Sequence, residues 1–113
     1  MSIANQIASK RNKDRRVIEV PEWGDDAPVL LYVGAITAGD MDRLQRKHKD
    51  FLNNMTIAGM IDLIIAKAET KDGDRVFTLE DKPVLMREPV NLIADIAGKM
   101  FGDIESVEEQ EKN

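Results

Sequence analysis

Residues 55–68 read MTIAGMIDLIIAKA, a stretch in which apolar side chains fall on nearly every side of a helix and only Asp62 and Lys67 stand out as polar. A helix that apolar needs neighbours on several faces, or a second molecule to cover what its own chain leaves bare. It is therefore expected to be the most buried element, with the rest of the chain arranged around it. The pattern upstream is different. Val17, Ile18 and Val20 flank Glu19, and residues 29–33 are rich in β-formers, so both segments read as strands. Between them, Pro21-Glu22-Trp23-Gly24-Asp25-Asp26 breaks strand and helix alike and suits a hairpin loop.

Thr37-Ala38-Gly39-Asp40 is a capping box with aspartate in place of glutamate, and it launches a second helical pattern. Met41, Leu44, His48, Phe51 and Met55 recur there at spacings of three and four, while Arg43, Arg46, Lys47 and Lys49 fall off the stripe and are expected in solvent. Asn53-Asn54 is expected to end this helix and cap the central one. Lys71-Asp72-Gly73-Asp74-Arg75 predicts a tight turn with Gly73 at positive φ, and Arg75-Val76-Phe77 a third extended piece beside the hairpin. Thr78-Leu79-Glu80-Asp81 repeats the capping logic for a short helix through Val84, Leu85 and Met86, irregular because of Pro83. Pro89 opens the last helix, whose apolar side is expected to be Val90, Ile93, Ala94, Ala97 and Phe101, with Asn91, Asp95 and Lys99 outside and Gly102 as the stop. At the other end, Ser2 can cap a short amphipathic helix carrying Ile3 and Ile7.

These elements predict an α+β fold: one mainly α-helical domain over residues 17–102, with a small N-terminal antiparallel β-hairpin packed on about four helices. A mobile segment with a short helix, residues 1–16, is expected before it and an acidic flexible tail, residues 103–113, after it. A length of 113 residues suits one domain, and the absence of cysteine excludes disulfides and thiolate metal sites and points to a reducing compartment. The longest apolar runs fall short of the roughly 20 residues a membrane span needs, and the first residues do not read as a secretory signal. A cytoplasmic protein is expected.

Charge sharpens the picture through its distribution. The net value is −5, yet Lys10, Arg11, Lys13, Arg15 and Arg16 crowd the start while Asp103, Glu105, Glu108, Glu109 and Glu111 crowd the end. The basic run could be a nucleic-acid arm or a solvated linker complemented by acidic groups elsewhere. The second is favoured, because no aromatic residue is interleaved to stack on bases and the chain as a whole repels phosphate.

Candidate chemistry is sparse. No phosphate loop, zinc spacing or nucleophile elbow occurs, and the adjacent carboxylates Asp25-Asp26, Glu80-Asp81 and Glu108-Glu109 sit in an expected loop, helix start and tail rather than converging in a buried site. Asp72-Gly73-Asp74 invites a calcium loop, but Val76 and Pro83 stand where ligands are needed. His48, the single histidine, has neither a second ligand nor a nucleophile beside it in sequence and reads as a partly buried packing residue. No enzyme, metal or cofactor is expected. Binding is: Met41, Met55, Met60, Met86 and Met100 lie in predicted helices, and thioethers suit both adaptable cores and surfaces that accept varied apolar partners. Trp23 is either an interface anchor or the lid that closes the hairpin on the core with its indole N–H reaching solvent. The candidate partner-binding residues are therefore Trp23, Met55, Met60, Met86, Met100 and Phe101.

The order of these motifs carries a resemblance. A strand ending in Val20-Pro21-Glu22-Trp23-Gly24, a strand leading into Ile36-Thr37-Ala38-Gly39-Asp40, a charged helix, an apolar helix, Lys71-Asp72-Gly73-Asp74-Arg75-Val76-Phe77-Thr78-Leu79-Glu80-Asp81 and a closing Glu111-Lys112-Asn113 resemble the tail assembly chaperones of long-tailed bacteriophages and prophages. The resemblance runs from Arg16 onward. It implies a non-catalytic factor of the host bacterial cytoplasm that binds the tape measure protein, keeps it soluble, promotes polymerisation of the tail tube around it and is absent from the mature virion. It also implies a longer frameshifted companion that recruits tail tube protein, while repeated binding along a long partner makes self-association an expectation. The rival readings are a structural head-to-tail or tail component retained in the virion, and a small nucleic-acid-binding regulator.

Overall fold

A computed structural model describes residues 2–12, 15–51 and 53–102. Helix α1 (Ile3–Asn12) leads into strands β1 (Arg15–Val20) and β2 (Val29–Gly34), followed by helices α2 (Ala38–Lys47), α3 (Ile57–Lys67), α4 (Lys82–Leu85) and α5 (Val90–Met100). The α+β expectation holds: the described residues form five α-helices and a two-stranded antiparallel hairpin. The acidic tail expected over 103–113 lies outside the described residues.

The hairpin pairs Val20 with Val29 next to its loop and Arg15 with Gly34 at its open end. This register puts Ile18, Val20, Leu31 and Val33 on the inner face, all buried, against the helices. β1 starts two residues earlier than the alternation of Val17–Val20 predicted, because Arg15 and Arg16 find partners. The Arg15 guanidinium donates to the carbonyls of Thr70 (3.2 Å) and Lys71 (2.8 Å) and lies 5.3 Å from the centre of the Tyr32 ring. Arg16 donates to the carbonyl of Met100 at 2.5 Å. The third extended piece is short and begins earlier than expected: Glu69 bridges Tyr32 on β2, and Arg75 bridges Glu69 in turn.

The central helix is α3, as its composition demands. Ile61, Leu63, Ile64 and Ile65 are buried together with Gly59 and Asp62. Its cap is Thr56, whose Oγ1 accepts from the Gly59 amide at 3.0 Å, and not the expected Asn53-Asn54 pair. That pair belongs to a turn. α2 ends at Lys47, well short of the heptad-like stripe that ran on to Met55. His48 takes extended backbone angles, and Asp50 adopts a left-handed φ of 59°, which a short aspartate tolerates better than most residues. The Asp50 carbonyl then accepts from the amides of Asn53 and Asn54 at 3.1 and 2.9 Å. This break rotates Phe51 into the core, fully buried between His48 and Phe101, with ring centres 6.2 and 6.4 Å away.

α5 differs in phase from the expectation. Leu92, Ile93, Ile96, Ala97 and Met100 form its buried face, while Val90 and Ala94 are exposed. Both faces offered apolar residues, and packing against α3 and β1 selects the one with the larger aliphatic side chains. Asn91, Asp95 and Lys99 lie outside as expected, the last two paired at 3.1 Å. α1 presents the opposite case. It is capped by Ser2, whose Oγ accepts from the Asn5 amide at 3.1 Å, but residues 2–10 are exposed throughout, with Ile3 at 73% and Ile7 at 58%. A ten-residue helix is marginal without packing.

Gly59 shows how tightly α3 meets its neighbours. A Cβ there would stand 2.5 Å from the Phe51 ring, and Phe51 is fully buried. Alanine would gain about 0.8–1.0 kcal/mol of helix propensity, but overpacking costs about 1–3 kcal/mol. Gly59→Ala is therefore expected to lower the unfolding free energy by about 1 kcal/mol, measured as a reduced urea midpoint at unchanged m-value. A stabilised variant would show that Phe51 is not held as described.

Candidate functional site

α2 and the segment leading to Leu79 flank one face of α3 and leave a groove of about 220 Å³. Its floor is apolar, from Leu44, Leu63, Ile65 and Ala66, with Leu79 at the lip, 67% exposed. Its walls carry Arg43, Lys47, Lys67 and Arg75 against two carboxylates, Asp40 and Asp62. In a chain of net charge −5, the groove is thus locally cationic.

Both carboxylates are already committed. Asp40 completes the Thr37 capping box: its Oδ2 accepts from the Thr37 amide at 2.9 Å while Thr37 Oγ1 accepts from the Asp40 amide at 3.0 Å. The same Oδ2 lies 2.9 Å from Lys67 Nζ and Oδ1 lies 2.6 Å from Arg43. Lys67 also donates to the carbonyl of Ala35, so one lysine ties the end of α3 to the approach to α2.

Asp62 is the second hub. Its Oδ2 is 2.6 Å from His48 Nε2 and 3.1 Å from Lys47 Nζ. Oδ1 makes no hydrogen bond of good geometry among the described residues, yet Lys82 Nζ lies 2.9 Å away and meets its charge. The carboxylate thereby joins α2, α3 and α4. Burial pushes the carboxyls of Asp40 and Asp62 up, but the hydrogen bonds and cations win: both are held below the ordinary 3.8, Asp40 chiefly by Thr37 and Lys67, Asp62 by His48, Lys82 and Lys47.

The residues singled out from sequence are scattered by the fold. Met100 and Phe101 are corrected to core residues, 1% and 6% exposed, because α5 turns them inward against Phe51 and Arg16 clamps the Met100 carbonyl. Met60 is partly buried against the core. Met55 and Met86 are exposed, at 38% and 53%. Trp23 is half-buried and closes the hairpin, its ring edge-on to Phe77 at 5.7 Å, but its indole N–H donates to Glu88 at 2.5 Å instead of reaching solvent. Lys47 is less purely solvated than its place off the stripe suggested, since it faces Asp62. His48 is a partly buried residue, 13% exposed, whose ring nitrogen is held by Asp62. Nothing in the local spacing joined His48 to Asp62 or Asp40 to Lys67. The available signal was an aspartate inside an otherwise apolar helix, which must find cations if that helix is buried.

Among the described residues, four of the ten large hydrophobic side chains that stay exposed, Leu79, Val84, Met86 and Val90, fall within residues 79–90. No group of His, Asp and Glu is placed to hold a metal, and no helix is long and apolar enough to cross a membrane, among the described residues. Comparison with protein-family models, with curated proteins and with solved structures gives no match.

The two depressed carboxyls set a pH dependence. A group whose pKa is lower folded than unfolded stabilises the fold above its unfolded value, here near 3.8, and that contribution is lost as pH falls through the folded value. Stability measured by chemical denaturation should therefore be level through neutral pH in this respect and decline below about pH 4. The double substitution Asp40→Asn with Asp62→Asn should lower stability at neutral pH and flatten the acid limb. An acid limb as steep as the native protein's would show that other carboxylates carry it.

Proposed function

We propose that this chain is a non-catalytic tail assembly chaperone of a long-tailed bacteriophage, which binds apolar helical segments of the tape measure protein, keeps that protein soluble and promotes tail tube polymerisation. The observation that carries the reading is the apolar groove on α3 with its cationic walls and exposed Leu79 at its lip, followed in the chain by exposed Val84, Met86 and Val90. An amphipathic helix laid on such a surface contributes anchors at spacings of three and four. Full burial of a side chain such as leucine or valine is worth about 1.5–3 kcal/mol, about tenfold or more in affinity for each anchor. Met55 and Met86 supply adaptable contacts at the surface, while Met100 and Phe101 support from within. The motif order from Arg16 onward adds to the reading, as does the bare apolar side of α1, which suits contact with a second copy on a long partner.

In this reading the protein acts in the host bacterial cytoplasm and is absent from the finished virion, and tail tube protein is recruited by a longer frameshifted form. A nucleic-acid arm is disfavoured by a specific observation: Arg15 and Arg16, the inner end of the basic run, are engaged by Glu69 and by backbone carbonyls.

Coexpression with the tape measure protein tests the proposal. The native chain is expected to raise the soluble fraction of tape measure protein, and Leu79→Asp, at an exposed position that the fold does not depend on, to abolish most of that gain. Tape measure protein that stays insoluble with the native chain would overturn the function. Recovery of the chain in purified virions by mass spectrometry would favour a structural tail component instead.

A further inference from the structure

The hairpin leaves one of its edges open. Tyr32 on β2 exchanges both backbone bonds with Glu69, at 2.8 and 2.9 Å, so its N–H and C=O point away from β1. Its partner in register, Val17, therefore belongs to a pair without direct bonds, and the pleat turns the backbone groups of Arg15, Val17 and Glu19 outward while Arg16, Ile18 and Val20 bond to β2. Among the described residues nothing pairs with that outer row. A trough of about 440 Å³ lies against it, lined by Val17, Ile18, Glu19, Pro21 and Lys99. Such an edge is a template for another strand unless proline, a bulge or unmatched charge blunts it. The register runs without a bulge from Arg15 to Val20, and no proline interrupts it.

The charges along this edge are matched to one occupant. Arg15, Val17 and Glu19 share the outer face of the strand and are exposed, Val17 at 50%. The Glu19 carboxylate makes no ion pair or hydrogen bond among the described residues, and Arg15 is the cation nearest to it along the strand. When a second copy is laid antiparallel about Val17, Val17 faces Val17 and Arg15 of each copy faces Glu19 of the other. Each of these pairs exchanges two backbone bonds, and opposite charges meet at both ends of the contact. A parallel strand would instead set Arg15 beside Arg15. We propose that β1 pairs with β1 of a second copy of this chain in this antiparallel register, joining two hairpins into one continuous four-stranded sheet. A two-stranded sheet is marginal by itself, whereas three or more strands on a hydrophobic face hold together. The contact stands on one short strand and falls short of the roughly 1,200 Å² that stable interfaces bury, so the dimer is weak and concentration-dependent. It does not rest on the chaperone reading or on the α3 groove.

Sedimentation of the full chain over rising concentration, with NMR on a mixture of isotope-labelled and unlabelled chains, tests the pairing. The native mass is expected to climb from monomer towards dimer, and the mixture to show contacts between the α-protons of Arg16 in one copy and Ile18 in the other, the close unbonded pair of this register. Val17→Pro removes an amide that the monomer's own sheet does not use, and is expected to keep the mass monomeric at every concentration. Glu19→Lys, at a side chain without a partner, is expected to weaken the dimer several-fold and to leave the thermal midpoint of the dilute monomer unchanged; this variant decides the matter if the proline chain fails to fold. A native chain that stays monomeric, a dimer whose interchain contacts fall on α1 or on residues 79–90 instead, or a dimer that Glu19→Lys leaves as tight as the native one would overturn the proposal. A native monomer that still solubilises tape measure protein overturns the edge pairing alone, and a dimer beside insoluble tape measure protein overturns the chaperone reading alone.

Discussion

The structure depends on keeping α3 dry while it carries an aspartate. Ile61, Leu63, Ile64 and Ile65 leave water almost completely, which requires α2, α4, α5 and the hairpin to close around them. Asp62 leaves water with them. A buried carboxylate is tolerated only where cations and hydrogen bonds replace its hydration. Lys47 does so from α2, His48 from the residue that caps it and Lys82 from α4, so satisfying one charge also fixes where those segments lie.

Asp40 repeats the device in the same groove. As the third helical residue of α2 it belongs to a local capping box, but Lys67 makes it a tertiary contact as well. A buried ion pair of this kind adds little to stability compared with a well-packed apolar pair, and its clearer effect is on geometry. Here that geometry is a groove with an apolar floor and charged walls, in which Lys67 is drawn to Asp40 and Lys47 to Asp62. The groove and the network that holds the helices together therefore share residues, and a change in one is expected to be felt in the other.

The hairpin and the helical half are joined by a few specific ties. Trp23 reaches Glu88 ahead of α5, Arg16 reaches the last carbonyl of α5, and Arg15 holds the 70–71 turn through its carbonyls. A two-stranded sheet has no stability of its own. Its inner face supplies the apolar contact, and these long polar side chains set its angle, which explains why β1 begins at the arginines instead of after them.

Much of the fold was legible in sequence because local chemistry specified it. Thr37 with Asp40 marked the start of α2, alternation and β-branching marked the strands, Gly73 marked its turn with a φ of 94°, and the composition of residues 55–68 identified the helix that would be most buried. Only tertiary structure decided which of two apolar faces α5 would bury, that Phe51 would leave the α2 helix to enter the core, and that Met100 and Phe101 would be hidden while Met55 and Met86 stayed at the surface. The groove was likewise invisible in one dimension. Its two carboxylates meet cations up to 27 residues away, and periodicity records how a segment sits on its own axis, not which distant charge a buried aspartate will find.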